Sequence, residues 1–342
     1  MVMYKEPVKS ATIYDVARHA GVSSQTVSRF LAGFEGIRPE TRARVEASLA
    51  ALNYRPNSAA RMLRLNRVNR LGVLAHSLGE TGPARIITGA TMEAHRRGYV
   101  LDIIGMDGDD RESVDTALAL SVEHQVAGIL ATAQTQVVLE QLRAFTTDIP
   151  MIIDVAITAA GTALPINELA GSLAADHLLG LGHRRVGYIS GPATWFAAQA
   201  RQRGFEEGLR RGGGELVWVR EGDWSARSGH AAVRGAAQEA GVTAVAAAND
   251  SMAIGAVSAF ATAGVRVPDD VSVIGTDDLP ESAYLLPSLS TVALDFEGEG
   301  RFVTSLLIDQ IEGTQSDESA LVLRAPVTHA RGSTMPTHER VR

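Results

Sequence analysis

Two groups of residues have the types and spacing to do chemistry. The first is the run Ser23–Leu31, SSQTVSRFL. Val27, Phe30 and Leu31 supply the apolar stripe of a short helix there, so Ser24, Gln25, Ser28 and Arg29 face outward. A Gln amide matches the donor–acceptor pair on adenine's major-groove edge, and an Arg fork matches guanine. Small hydroxyls let a helix approach a groove closely and hydrogen-bond phosphates. The second group is dispersed: Asp154, Arg201, Trp224, Asn249 and Asp277 each lie in or near a segment that follows a short apolar run. Carboxylates, an Asn amide and an Arg fork hold ring hydroxyls in bidentate fashion, and an indole face covers the apolar face of a pyranose. This is the chemistry of a saccharide site with few, well-placed polar groups.

Both groups need a scaffold. Thr12 caps a helix that begins at Ile13, with Asp15 three residues on in a capping-box arrangement. Ile13, Val16, Ala17 and Ala20 share its apolar face, and Gly21 stops it. Ser23 starts the next helix, so the pair joined by Gly-Val forms a helix-turn-helix. A third amphipathic helix opens at Arg38-Pro39-Glu40-Thr41, with Val45, Leu49 and Leu52 inward. After Asn53-Tyr54-Arg55-Pro56 comes Asn57–Arg64, a segment of small, basic and apolar residues. Alone in water such a helix is marginal. Paired with its twin from a second subunit it would order on DNA, its small residues in the minor groove and Leu63 wedged between base steps.

From residue 70 onward, short apolar runs at 71–74, 100–104, 127–130 and 151–153 alternate with helical spacing at 83–97, 111–124 and 137–145. The alternation restarts with runs at 186–189, 216–219, 244–246 and 271–274, separated by helical stretches near 168–181, 195–211, 227–240 and 252–263. This is a parallel βαβ pattern written twice. It predicts two similar subdomains with a cleft between them, and ligands in such sheets sit beyond the carboxyl ends of the strands.

Composition fits this division. A chain of 342 residues is too long for one compact core. Residues 1–70 hold 12 Lys/Arg against 5 Asp/Glu, whereas the remainder holds 20 against 34. A basic head on an acidic body suits a polyanion-binding module fused to a soluble domain. The absence of Cys excludes disulfides and thiolate metal sites. No apolar run reaches membrane-helix length and the N-terminus MVMYKEPVKS does not resemble an export signal, so a cytoplasmic, nucleoid-associated protein is expected.

Residues 12–63, TIYDVARHAGVSSQTVSRFLAGFEGIRPETRARVEASLAALNYRPNSAARML, resemble the DNA-binding head and hinge of the LacI family of bacterial transcription regulators. The resemblance implies that Ser24, Gln25 and Arg29 read bases, that Thr12, Ser23, Thr26, Ser28, Thr41 and Asn57 touch the DNA backbone, and that Ala60 and Leu63 enter the minor groove. It extends along the body, where REGDWSA at 220–226, AND at 248–250, GTDD at 275–278 and the following LLPSLSTV are similar to the lactose-repressor branch. There Arg201, Asn249 and Asp277 match residues that hold sugar hydroxyls, Asp154 matches another polar contact, and Trp224 and Phe296 match aromatic walls. His76 matches a ligand position where the branch has Ser, and Leu294 stands in place of Gln. Ala32 stands where the family usually has Asn, and Ser24 where the branch has Tyr.

The implied fold is α/β: a three-helix helix-turn-helix head (1–53), a hinge helix and linker (54–69), and a bilobed periplasmic-binding-protein-like body (70–342). The body's two doubly wound parallel-sheet subdomains would comprise 70–165 with 294–323, and 166–293 with 324–342. The implied function is a non-enzymatic repressor of a sugar-utilisation operon. It would be released from palindromic double-stranded operator DNA by a small sugar, a galactoside or related saccharide. No cofactor, metal or membrane partner is expected. The tail THARGSTMPTHERVR lacks the apolar heptads of a tetramerising helix, so a homodimer is expected. Three readings compete: a regulator using a non-sugar corepressor, a sugar receptor without DNA function, and a glycosidase built on Asp277 and Asp278. Against the last, no nucleophile elbow, phosphate loop or zinc-binding His pair is present.

Overall fold

The computed structural model describes residues 11–31, 33–54, 69–154, 164–235, 241–314 and 323–337. The chain divides into two compact units, residues 1–68 and 69–342.

In the first unit, α1 (Ile13–Ala20), α2 (Ser24–Leu31) and α3 (Pro39–Ala51) enclose Val16, Val27 and Val45, all fully buried. The caps are the anticipated ones. Thr12 Oγ1 accepts the Asp15 N–H at 3.3 Å while the Asp15 carboxylate accepts the Thr12 N–H at 2.9 Å. Gly21 sits at φ 62°, a left-handed conformation that glycine adopts without steric cost. Ser23 Oγ accepts the Thr26 N–H at 3.1 Å, which fixes the start of α2. Ala32, Asn57, Ala60 and Leu63 lie outside the described residues.

The second unit holds two sheets. β1 (Arg70–His76), β2 (Val100–Met106), β3 (Gly128–Thr132) and β4 (Met151–Asp154) form a parallel sheet in the order β2-β1-β3-β4. Its helices are α4 (Thr81–Arg96), α5 (Arg111–Glu123) and α6 (Gln136–Ala144). The second sheet, in the order β10-β9-β8-β7-β5-β6, contains β5 (Arg185–Ser190), β6 (Glu215–Glu221), β7 (Ala244–Ala247), β8 (Ser272–Thr276), β9 (Ser290–Ala293) and β10 (Val327–His329). Around it lie α7 (Ile166–Gly180), α8 (Phe196–Arg211), α9 (Ala226–Ala232) and α10 (Asp250–Thr262). All eight strand-like runs found in the sequence become strands; the inner ones are buried on both faces, whereas the edge strands β2 and β6 stay partly exposed.

Three elements go beyond the sequence reading. β9 and β10 are only four and three residues long, too short to show a period, and β10 runs antiparallel to its neighbour. The helix α11 (Phe296–Glu312) is interrupted by Gly298, Gly300 and charged residues, which dilute its apolar pattern. Its buried Val303, Leu307 and Ile308 nevertheless join Leu71, Val73 and Leu130 of the first sheet, so the chain returns there after completing β9. The helix expected over 227–240 is described only as Ala226–Ala232.

Candidate nucleic-acid interface and ligand cleft

On α2 the three-helix core takes Val27, with Phe30 and Leu31 partly buried against it. The opposite side presents Gln25 and Arg29, both exposed and one turn apart, flanked by the half-buried Ser24 and Ser28. The Arg29 guanidinium lies 5.6 Å from the centroid of the exposed Phe34 ring and has no ion-pair partner among the described residues. Thr12 and Ser23 are exposed, Thr26 and Thr41 half-buried. Thr12, Ser23 and Thr26 hydroxyls are engaged in the two caps.

The body's cleft spans about 490 Å³, part of it open to solvent. Arg201, Trp224, Asn249, Asp277 and Phe296 all line it. Arg201, on α8, is the hub. Its Nη1 lies 2.9 Å from Asp277 Oδ1, its Nε donates to Asn167 Oδ1 at 2.9 Å, and its guanidinium stands 5.8 Å from the Trp224 ring. The approach of α7 to α8 makes this possible. Gly171 and Gly204 let the backbones touch, since a Cβ on Gly171 would meet Arg201 O at 1.9 Å. Asn249 caps α10, accepting the Met252 N–H at 2.8 Å while donating to Trp224 O at 2.9 Å. The cap and the cleft role thus coexist in one side chain.

Strain collects here. Trp224 (φ 71°), Asp277 (φ 107°) and Asp278 (φ 53°) all have left-handed backbone, at about 1–3 kcal/mol each, and such residues cluster at ligand sites. Asp277 and Asp278 part company: Asp277 turns to Arg201, whereas Asp278 Oδ1 accepts from Arg331 at 2.7 Å. Burial pushes the Asp277 carboxyl up, opposed by Arg201 and Arg85.

The remaining two sequence candidates sit behind the cleft wall. His76 is buried at the end of β1, its Nδ1 accepting the Gly108 N–H at 2.9 Å and its ring 5.0 Å from that of Trp195. Asp154 ends β4 and is paired with Glu299 of α11. Burial raises both carboxyls, Glu299 well above the ordinary range, and a side-chain hydrogen bond links the two.

The lining also includes residues the sequence reading passed over: Glu80, Gln134, Asn167, Trp195 and Glu299. Glu80 and Trp195 follow β1 and β5, so the strand-end rule applies to them equally. Glu299 does not follow a strand; its only signal is a carboxylate within the Phe296–Gly300–Val303 stripe that α11 buries. Gly300 and Gly89 bring α11 onto α4 and thereby set Glu299 in the wall. The two lobes meet across the cleft. Arg85 of α4 donates to Asp277 O at 3.1 Å, and Phe196 N–H donates to Gln134 O at 2.9 Å.

Comparison with known proteins agrees. Residues 12–57 match the family described as bacterial regulatory proteins, lacI family, and residues 175–334 match a periplasmic binding protein-like domain. The lactose operon repressor of Escherichia coli (strain K12) is 32% identical over 318 residues, covering 90% of this chain and 86% of that protein. The HTH-type transcriptional repressor PurR of Photorhabdus laumondii is 32% identical over 331 residues, covering 94% and 96%. Among solved structures, the lac repressor dimer bound to operator and the anti-inducer ONPF superposes with a TM-score of 0.82 at 30% identity, covering 96% of this chain and all of that one. A complex of the transcriptional regulator CelR with cellobiose gives a TM-score of 0.65 at 28% identity, covering 94% and 99%. These relatives are regulators of transcription, not enzymes, and the chain belongs to the lacI family of bacterial regulatory proteins as a DNA-binding transcriptional repressor.

Proposed function

We propose that this repressor acts as a homodimer in the cytoplasm, controls sugar-utilisation genes, and leaves a palindromic operator when a small saccharide enters the body cleft. One observation carries the saccharide reading. Beneath the aromatic walls, Trp224 Nε1 and Glu299 Oε2 are buried without hydrogen-bond partners among the described residues. One is a donor and the other an acceptor, and each unmet group costs on the order of 1–3 kcal/mol. Ring hydroxyls supply both functions at once, and the indole faces of Trp195 and Trp224 suit the apolar face of a sugar. The cellobiose complex of CelR is a relative's precedent for a saccharide ligand.

The base-reading role of Ser24, Gln25 and Arg29, and the backbone role of Thr12, Ser23, Thr26, Ser28, Thr41 and Asn57, rest on the exposed face of α2 and on the family. A homodimer is supported by Tyr284 and Leu286, 87% and 98% exposed on the body, where apolar groups of that size ordinarily find a partner. A ligand that favours one angle between the lobes biases the dimer's two heads. Only about 1–3 kcal/mol of differential affinity is needed for useful coupling.

The test is selection of duplexes from a random pool, followed by anisotropy titration with saccharides. An inverted repeat should be enriched, and a saccharide should weaken its binding. If no inverted repeat is enriched at low salt, the repressor reading is wrong. The PurR relatives favour a second reading, a non-sugar ligand; a compound that strengthens operator binding would establish it in place of the first.

A further inference from the structure

The cleft holds more negative charge than its own groups neutralise. Arg201 is committed to Asp277 at 2.9 Å. Arg85 donates to Asp277 O and lies 3.9 Å from Glu297. Among the described residues neither forms an ion pair with the two remaining carboxyls in the lining, Glu80 and Glu299, although the field of Arg201 reaches Glu299. Glu299 is 7% exposed and its Oε2 has no hydrogen-bond partner among the described residues. Asp154, hydrogen-bonded to Glu299, adds a second buried carboxyl beside it. Glu80, half-buried in the same lining, is raised by burial first and then by the fields of Asp223 and Asp277. The same lining holds the rings of Trp195, Trp224 and Phe296, whose faces attract cations. A neutral sugar would satisfy the hydroxyl-seeking atoms and leave the charge excess standing.

We propose that the effector is a cationic saccharide, an amino sugar whose ammonium group sits against Glu299 and Glu80 while its ring covers the indoles. This rests on the saccharide reading above and narrows it. An ammonium donates three hydrogen bonds, enough to reach both carboxyls. The same charge excess repels sugar phosphates and uronates. An ammonium favours the ionised form of these raised carboxyls, so binding releases protons to solvent and affinity should rise with pH only until the amine itself loses its proton. The groups facing that pair are Arg201 of α8 and Asp295 beside α11; those facing Glu80 are Asp223 and Asp277.

The experiment is calorimetric titration of the full-length protein at pH 7.5. The probes are D-glucosamine, D-galactosamine and fully deacetylated chitobiose, against glucose, galactose, cellobiose and the N-acetylated forms. At least one amine should bind about tenfold or more tighter than both its neutral parent and its N-acetyl form. The variant Glu80→Gln/Glu299→Gln should erase that margin, read as the ratio of amine to neutral-parent affinity in the same protein. Glu80→Gln alone, at a half-exposed position, should erase part of it even if the double variant folds poorly. If neutral sugars bind as tightly as the amines, the cationic assignment falls and the saccharide reading stands. If no saccharide of either kind binds, both fall.

Discussion

Replacing Arg201 tests the hub directly. Its guanidinium and the Asp277 carboxylate are each only 6% exposed and lie 2.9 Å apart. Removing one partner of a buried pair leaves an uncompensated charge and costs about 3–5 kcal/mol. Arg201→Met keeps most of the aliphatic volume and removes the charge, so cavity formation contributes little. Asp277 can then take up a proton, and burial has already pushed its carboxyl up, which places the loss near the lower bound. For a unit of this size, each kcal/mol shifts the melting temperature by about 2–4 °C, so the body should melt roughly 6–12 °C lower. Arg201→Met/Asp277→Leu removes both charges and should recover most of that loss. The Asp277 carboxyl in the single variant has a folded-state pKa above its unfolded value. Its stabilising contribution is present below the unfolded pKa and is lost as pH rises through the folded one, so the deficit should shrink on acidification. Differential scanning fluorimetry of wild type, both single variants and the double variant at pH 5.5 and 8 measures each quantity. A double variant no more stable than Arg201→Met, or a deficit that grows at low pH, would refute the reasoning.

Gly300→Ala places a Cβ 1.9 Å from Ile86 O; α11 must move off α4, so a loss of about 1–3 kcal/mol is expected in urea unfolding, together with weaker ligand binding. Both carboxyls of the Asp154–Glu299 pair are raised, so their contribution to stability declines as pH rises through the folded-state values. Melting temperatures of wild type should therefore decline more steeply than those of Glu299→Gln in the approach to neutral and alkaline pH. In the head, Gln25→Ala should relax operator specificity at one base step, at a cost of about 1–3 kcal/mol in binding. Affinity for any duplex should meanwhile fall steeply with salt, as measured by anisotropy between 50 and 200 mM, a range over which a protein making several phosphate contacts loses orders of magnitude.

Local chemistry made much of this molecule legible in one dimension. Thr12, Asp15 and Gly21 act within a single turn of chain, so the boundaries of the first helix are readable from neighbours alone. The inner strands are apolar on both faces, and that property belongs to each segment regardless of its partners. The strand-end rule found Arg201, Trp224, Asn249 and Asp277 because a parallel sheet delivers all its carboxyl ends to one side. Only the tertiary structure decided how those ends face one another. Glu299 looks like a misplaced charge on a weakly patterned helix until α11 crosses back to the first sheet and Gly89 and Gly300 let it dock. Glu80 and Trp195 also follow strands, but only the folded cleft shows that they line it beside Arg201 and Asp277. Asp154 and His76 sit at strand ends as expected, yet side-chain packing turned them toward Glu299 and Gly108 behind the wall. Capping and hydrophobic patterning depend on residues a few positions apart; the charge balance of a cleft depends on groups up to two hundred positions apart in sequence, and only the folded chain brings them together.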